Sequence, residues 1–235
     1  MASTIAPVYA FDFCKTLLKK MPLEDIQVRI LDDVNKMMWM AAPWRWSVST
    51  LTAITLTANT SDYTLSPPAD FLYILHSFIT DGASPTNHLE VVPSLPASGI
   101  IKGTPQYISY QGSNTFRISP NPGTFVSTAI PTPPTKQIFS WYKKIAPVIT
   151  ASNQMTAGTL VFDDEYFPIY EQGVLWLSYL YGDDARAGNC NFDSSGRAQF
   201  TGARATFEAG LQGMREREPL PSFIPPMTPD VKATK

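Results

Sequence analysis

The apolar residues of this chain follow two different periods, and the change between them divides the sequence into regions. Between residues 22 and 42 they recur every three or four positions, which predicts an amphipathic helix that Pro43 ends. The helical period returns at residues 163–181 and once more from Phe200 to Met214. In the last of these helices, Gly202, Gly210 and Gly213 are small enough to permit close packing against a neighbour.

Residues 43–162 instead show alternating apolar and polar positions, interrupted by prolines. Such alternation is typical of strands. The clearest predicted strands are Phe71–Thr80, the hairpin 106–110 with Thr115–Ser119, and Gln137–Lys144. We interpret residues 87–101 as a short helix or an irregular loop. Several short strands at this spacing predict a small sandwich or barrel.

The helix that resumes after the β-rich region begins with three acidic residues. Asp163 or Asp164 is predicted to cap it by accepting hydrogen bonds from orphan N–H groups, and the acids suit the positive end of the helix dipole. Asp163, Asp164 and Glu165 could also bind a hard cation. Because the cluster is isolated and stands at the start of a helix, we favour the helix cap over the cation site.

The predicted fold class is α+β. An antiparallel α-helical bundle, formed by residues 22–42 plus 163–218, carries a large inserted β-sandwich or barrel-like domain at 43–162. Residues 1–21 form an N-terminal arm, extended at first and then briefly helical, and residues 219–235 an extended Pro-rich C-terminal tail. Apolar side chains of the tail stand among prolines that prevent them from building a core element, chief among them Leu220, Phe223, Ile224 and Met227. They either cover their own domain or dock on a partner.

Composition and charge argue against several classes of function. The formal net charge is −2 and no polybasic block exists, which argues against nucleic-acid binding that is driven mainly by phosphate contacts. Cys14 and Cys190 lack metal-ligand spacing, and His76 and His88 lie near no Ser or Cys motif. Phosphate-binding Gly-rich loops are absent from the sequence. We therefore expect no enzyme, no metal and no cofactor. Without a visible signal peptide or membrane span, synthesis in a reducing cytoplasm is expected.

A cluster of large aromatics follows the first long helix. Pro43, Trp44 and Trp46 stand where helix gives way to strand, and we predict that they pack as a plug at this corner. Arg45 points away and is expected at the surface. The alternative is that the tryptophans stack on a base or a sugar.

The order of these elements resembles the head-to-tail adaptor (connector) proteins of tailed bacteriophages, over most of residues 23–217. The residues that carry the resemblance are, in chain order, Pro43-Trp44-Arg45-Trp46, Tyr63-Thr64-Leu65-Ser66-Pro67-Pro68-Ala69-Asp70-Phe71, Gly103-Thr104-Pro105-Gln106-Tyr107, Thr115-Phe116-Arg117-Ile118-Ser119-Pro120-Asn121-Pro122, Trp141-Tyr142-Lys143-Lys144 and Asp164-Glu165-Tyr166. Each motif is weakly specific alone, whereas their order is more specific. Gly173 and Gly182 stand where such a helix more usually has alanine or leucine.

The resemblance implies a structural virion protein without catalytic activity. It implies a homo-oligomeric ring, commonly a dodecamer, at the head-to-tail junction. The portal protein would lie above it and a tail or stopper protein below. The helices would surround a channel through which double-stranded DNA passes without sequence-specific contacts. The C-terminal segment would reach the portal. No membrane is involved.

Two other functions are compatible with the sequence. The β-rich region could bind a receptor or carbohydrate on a virion, with Trp44, Trp46 and Trp141 as exposed stacking platforms. A metal-dependent hydrolase could use the carboxylates of Asp163, Asp164 and Glu165. The first requires exposed tryptophans, and the second requires an activity that depends on a metal ion and on Asp164.

Overall fold

A change from helix to strand and back divides the chain into two units. The computed structural model describes residues 3–80, 85–97, 102–123, 136–187, 190–192, 195 and 198–218. The β unit spans Val48–Ile145, and the helical unit comprises the described residues up to Ser47 and from Ala146 to Glu218. The mixed α+β class predicted from the sequence is confirmed.

Alternating apolar residues place one face of the longer strands of the β unit in a core. Its strands are β1 (Val48–Thr50), β2 (Ile54–Thr55), β3 (Asp62–Thr64), β4 (Phe71–Thr80), β5 (Pro85–Val91), β6 (Lys102–Gly103), β7 (Tyr107–Tyr110), β8 (Thr115–Ser119), β9 (Asn121–Pro122) and β10 (Gln137–Lys144). Eight of them form one curled, half-barrel sheet in the order β1-β10-β4-β5-β7-β8-β3, with β2 also on β10. β6 and β9 pair separately. The sheet is antiparallel except where β5 meets β7.

The strands predicted at β4, β7, β8 and β10 are confirmed. The interpretation of residues 87–101 was wrong at its start, because β5 extends to Val91 and pairs with both β4 and β7. Of the predicted sandwich or barrel, the sandwich is not confirmed, since the main strands form a single curled, half-barrel sheet; the predicted antiparallel bundle is not confirmed in detail either. Its buried face carries Ile79, Leu89, Ile108, Phe116, Ile118 and Ile138.

The helical unit contains α1 (Ala10–Cys14), α2 (Glu24–Ala41), α3 (Phe167–Tyr181) and α4 (Ala203–Arg217). α3 packs against the other three helices, so the segments on either side of the β unit meet as the sequence predicts. Val34 of α2, Val174 of α3 and Phe207 of α4 are all buried in one core. The Tyr170 hydroxyl donates a hydrogen bond of 2.9 Å to the carbonyl oxygen of Leu31, which ties α3 to α2 within this core.

The boundaries of the helical unit differ from those predicted. Residues 3–14 of the predicted N-terminal arm belong to this unit, since Ala10 and Phe11 are buried in the helical core. Residues 146–162 also belong to this unit, because Ile149, Leu160 and Phe162 pack into the same core. The last helix begins at Ala203, after a short ribbon of Cys190–Phe192 and Ala198–Thr201. Of the chain that leads into it, residues 193–194 and 196–197 lie outside the described part.

Candidate functional site

The end of α2, the start of α3 and the end of α4 meet at one corner of the helical unit. The rings of Trp44 and Trp46 stack with centroids 5.6 Å apart and planes 16° apart. The Trp46 ring in turn lies 6.1 Å from the ring of Tyr166. The Tyr166 hydroxyl donates a hydrogen bond of 2.8 Å to Oε1 of Glu218, just beyond α4. We call Trp44, Trp46, Tyr166 and Glu218 the tail-root corner, because the C-terminal tail follows Glu218.

Trp44 anchors this corner from inside the helical core. Its side chain is only 1% exposed, and its Nε1 donates a hydrogen bond of 2.6 Å to the Met38 carbonyl oxygen. That bond ties the Trp44 side chain to the last turn of α2. Pro43 and Trp46 are half-buried beside it, while Arg45 is exposed. A buried Trp44 cannot serve as an exposed stacking platform, so the alternative function is wrong at this residue.

Asp163 and Asp164 precede α3 but do not cap it in the way predicted. A short 3-10 turn, Asp164–Tyr166, comes first, and Asp163 occupies its N-cap position without a side-chain capping hydrogen bond. The Asp164 carboxylate instead accepts hydrogen bonds from the N-terminal segment. Its donors are Ser3 Oγ at 2.6 Å, the Thr4 amide at 2.8 Å and the Thr4 hydroxyl. Donors from Ser3 and then Thr4 lower the pKa of Asp164 below its usual value.

The corner also gathers three carboxylates. Oxygen atoms of Asp163, Glu165 and Glu218 lie within 4.8 Å of one another, an arrangement that a hard cation could use. Glu165 is exposed, and exposed acidic clusters are common without an ion. Burial, followed by the neighbouring Glu218 and Glu165, raises the pKa of Tyr166. The phenol therefore stays protonated and acts as a hydrogen-bond donor rather than a base.

Reasoning from sequence missed Ser3, Thr4 and Glu218. Ser3 and Thr4 contact a residue about 160 positions away, and Tyr166 and Glu218 are separated by 52. Local periodicity carries no signal for pairs at such separations. The predicted docking residues of the tail, Leu220, Phe223, Ile224 and Met227, lie outside the described residues.

The aromatic residues of the β unit lie in a separate cluster. The Trp141 ring is 5.3 Å from that of Phe78 and 5.8 Å from that of His76, and Phe78 stacks on Phe139. His76 and His88 also meet, with centroids 4.3 Å apart. Burial and then His88 lower the pKa of His76, which keeps its imidazole neutral near pH 7. Trp141 is half-buried in this row of rings.

Of the two cysteines, the structure describes the side chain of Cys14. Cys14 is buried, and burial followed by Glu171 raises the pKa of its thiol to about 12, so the thiolate that would react or bind metal is not formed. The side chain of Cys190 lies outside the described part. Among the described residues, no helix is long and apolar enough to span a membrane.

Two comparisons with known proteins bear on this geometry. A family model described as SU10 adaptor protein matches residues 20–228. The match therefore includes α2, the β unit, α3, α4 and all four residues of the tail-root corner. A search of curated proteins gives no significant match.

Proposed function

This chain belongs to the SU10 adaptor protein family of tailed-phage head-to-tail adaptors, and from that premise we propose that it forms a ring beneath the portal that joins capsid to tail. The observation that carries the proposal is a family match over residues 20–228, nearly the whole chain. Its location would be the head-to-tail junction of the virion. The proposed role is structural and includes neither a catalytic step nor a cofactor.

The helical unit is our candidate for the body of the ring. Its central helix, α3, is covered by α1, α2 and α4, which leaves α2 and α4 with exposed charged faces. Such a covered, rigid core suits a subunit that must hold its shape while DNA passes under pressure. We propose that the assembled helical units, as a dodecamer, surround the DNA channel.

The charge of the chain fits a channel better than a DNA clamp. With a formal net charge of −2, the protein lacks the excess of Lys and Arg that would neutralise phosphates and retain the duplex. Double-stranded DNA would then slide past without sequence specificity. The β unit would project outward or towards the tail or stopper protein.

The tail-root corner supports a specific route for the C-terminal segment. Glu218 is held by Tyr166, which packs on Trp46, which stacks on the buried Trp44. Glu218, the residue directly before the tail, is thus fixed to the core of the helical unit. We propose that Leu220, Phe223, Ile224 and Met227 dock on the portal from this fixed point, because a Pro-rich segment loses little entropy on ordering.

Imaging of the purified protein mixed with its portal tests this proposal. We expect negative-stain electron microscopy to show a second ring stacked on one end of the portal ring, and none in a sample of portal alone. The neck rings should be absent from particles made without this protein. Portal rings that stay bare at saturating protein concentrations would contradict the proposed junction.

A further inference from the structure

Two helices of the helical unit, α2 and α4, each have a face that is exposed to solvent. Both pack on α3, but on different sides of it. Tyr170 of α3 donates a hydrogen bond to α2, whereas Ile169 of α3 lies against Gly210 of α4. Trp176 of α3 meets Phe207 of α4, with ring centroids 5.9 Å apart. The exposed faces of α2 and α4 therefore point in different directions.

The exposed face of α2 carries two methionines that are three positions apart. Met37 is 36% exposed and Met40 is 51% exposed. Met38 and Val34 of the same helix are buried in the core, so the two exposed methionines lie on the other side of α2. A methionine side chain is unbranched and polarizable, so it adapts to the surface of a partner.

The exposed face of α4 is shallow. Its small residues Ala205, Ala209 and Gly213 recur at every fourth position, on the side of the helix away from the buried Phe207 and Met214. A Cβ atom built at Gly213 would meet no atom within 4 Å. Small side chains let a second helix approach closely, and longer side chains of that helix fill the space beside them.

Positive charge dominates beside the methionines of α2. The cations Arg29 and Lys36 are both exposed. They pair within their own helix, with Asp33 and Asp32, and each carboxylate is less exposed than its partner. Such pairs along a helix are weak, so the two cations remain available to a partner of opposite charge.

Negative charge dominates beside the small residues of α4. Glu208 and Glu216 are exposed there. The arginines of α4 contact their own unit instead. Arg204, which pairs with Glu208, lies over an aromatic ring of α3, 5.5 Å from its centroid. Arg215 donates a hydrogen bond of 2.6 Å to a backbone carbonyl oxygen at the end of α2. The two exposed faces thus differ in both shape and charge.

On the premise of the proposed ring, we propose that the exposed face of α2 in one copy packs against the exposed face of α4 in the next copy. Met37 and Met40 lie over the small residues around Ala209, and Lys36 faces the carboxylates of α4. Contacts between like faces are disfavoured, because they bring Lys36 against Lys36 or Glu216 against Glu216. An interface between unlike faces leaves one of each kind free at the ends, so copies add until a ring closes.

Substitutions on each face separately test this arrangement. Met37→Gln with Met40→Gln keeps helix propensity but removes apolar surface, and Ala209→Lys puts a long cation where Lys36 of the next copy approaches. Native mass spectrometry of the full-length protein, alone and with portal rings, counts the copies in each particle. We expect each variant to self-associate at least about tenfold more weakly than the wild type. Leu180→Gln, a similar change at an exposed residue of α3, should assemble like the wild type.

A mixture of the two variants separates unlike from like contacts. The methionine variant keeps an intact α4 face and Ala209→Lys keeps an intact α2 face, so we expect dimers of mixed composition, which also shows that both variants are folded. A mixture that stays monomeric, or wild-type copy numbers in both variants, would overturn the inference and leave the proposed function standing. Wild-type rings that do not bind the portal would contradict the proposed function alone. A wild type that never self-associates, with or without the portal, would contradict both.

Discussion

At the scale of single residues, Gly173 marks the closest approach of three helices. A Cβ atom built there would lie 2.5 Å from Val34 Cγ1 of α2 and 2.9 Å from Phe207 Cε2 of α4. Both neighbours are buried and cannot swing into solvent. We therefore expect Gly173→Ala to lower the free energy of unfolding by about 1–3 kcal/mol, the usual cost of overpacking. Urea denaturation followed by circular dichroism measures this change.

Gly213 of α4 provides the matched control. A Cβ atom there would meet no atom within 4 Å, so the better helix propensity of alanine should prevail. Gly213→Ala is expected to raise the free energy of unfolding by up to about 1 kcal/mol. Equal stability of Gly173→Ala and Gly213→Ala would contradict the packing that we describe around α3.

Sequence alone could not separate these two glycines. The small residues of the last helix predict a close approach, and Gly210 makes one, since a Cβ atom there would lie 3.0 Å from Ile169. Gly213 is on the same helix and faces open space. Gly173 stands where the adaptor proteins that the chain resembles more usually have alanine or leucine. The structure explains the glycine, because Val34 and Phe207 leave no room for a side chain. Which glycine meets a neighbour depends on side chains from other helices, and no local pattern encodes them.

At the scale of elements, an ion pair joins the edge strand β3 to β8. The guanidinium of Arg117 donates to both carboxylate oxygens of Asp62, at 2.6 and 2.7 Å. This contact lowers the pKa of Asp62. The pair therefore stabilises the sheet above the unfolded-state pKa of about 4, and its contribution is lost as the pH falls through the lower folded-state pKa.

Asp62→Asn should accordingly lose less stability than the wild type between pH 7 and pH 3. Because Asp62 is partly exposed, solvent screening limits the difference to about 0.5 kcal/mol. Thermal unfolding at the two pH values measures it, and Asp33→Asn, at the surface pair with Arg29, is the control for a general change of charge. Parallel pH profiles for Asp62→Asn and the wild type would argue against a role of this pair in the sheet.

The elements that sequence predicted well are those with a strong local pattern. β4, β10 and the β7–β8 hairpin alternate clearly and are bounded by turn residues. β5 was missed because Pro93 and Pro96 made its surroundings resemble a loop, and because its partner β7 is parallel and distant in sequence. At the start of α3, the acidic residues fit a cap by pattern. In the structure, the donors to Asp164 come instead from Ser3 and Thr4 of the N-terminal segment.

At the scale of the whole molecule, the order of helix, β-rich region and helices was readable from the sequence, while the limits of the two units were not. Low charge persists through residues 146–162, so composition extends the β-rich region to Phe162. In the structure these residues belong to the helical unit, because Ile149, Leu160 and Phe162 pack into its core. Which core an apolar residue joins is a property of the assembled fold. The tail-root corner could not be predicted from local patterns either, since it joins residues from three separate segments.

The C-terminal tail gives the prediction that belongs to the whole molecule. Deleting residues 219–235 retains Glu218 and its hydrogen bond from Tyr166, so the truncated protein should unfold at the same temperature as the full chain. Its affinity for the portal should nevertheless fall. The double substitution Phe223→Ser and Ile224→Ser should weaken binding at least about tenfold, since each apolar side chain contributes about 1.5–3 kcal/mol when buried.

Thr234→Ser, a mild change near the end of the same tail, should bind like the wild type and is the control. Biolayer interferometry on immobilised portal rings measures all four proteins. Full affinity in the truncated protein would show that the junction is made by the ring body alone. Loss of affinity in the truncation but not in the double variant would move the contact away from Phe223 and Ile224, to the prolines or to Leu220 and Met227. Because the corner holds Glu218 to the core in every variant, a difference among them reports on the tail itself.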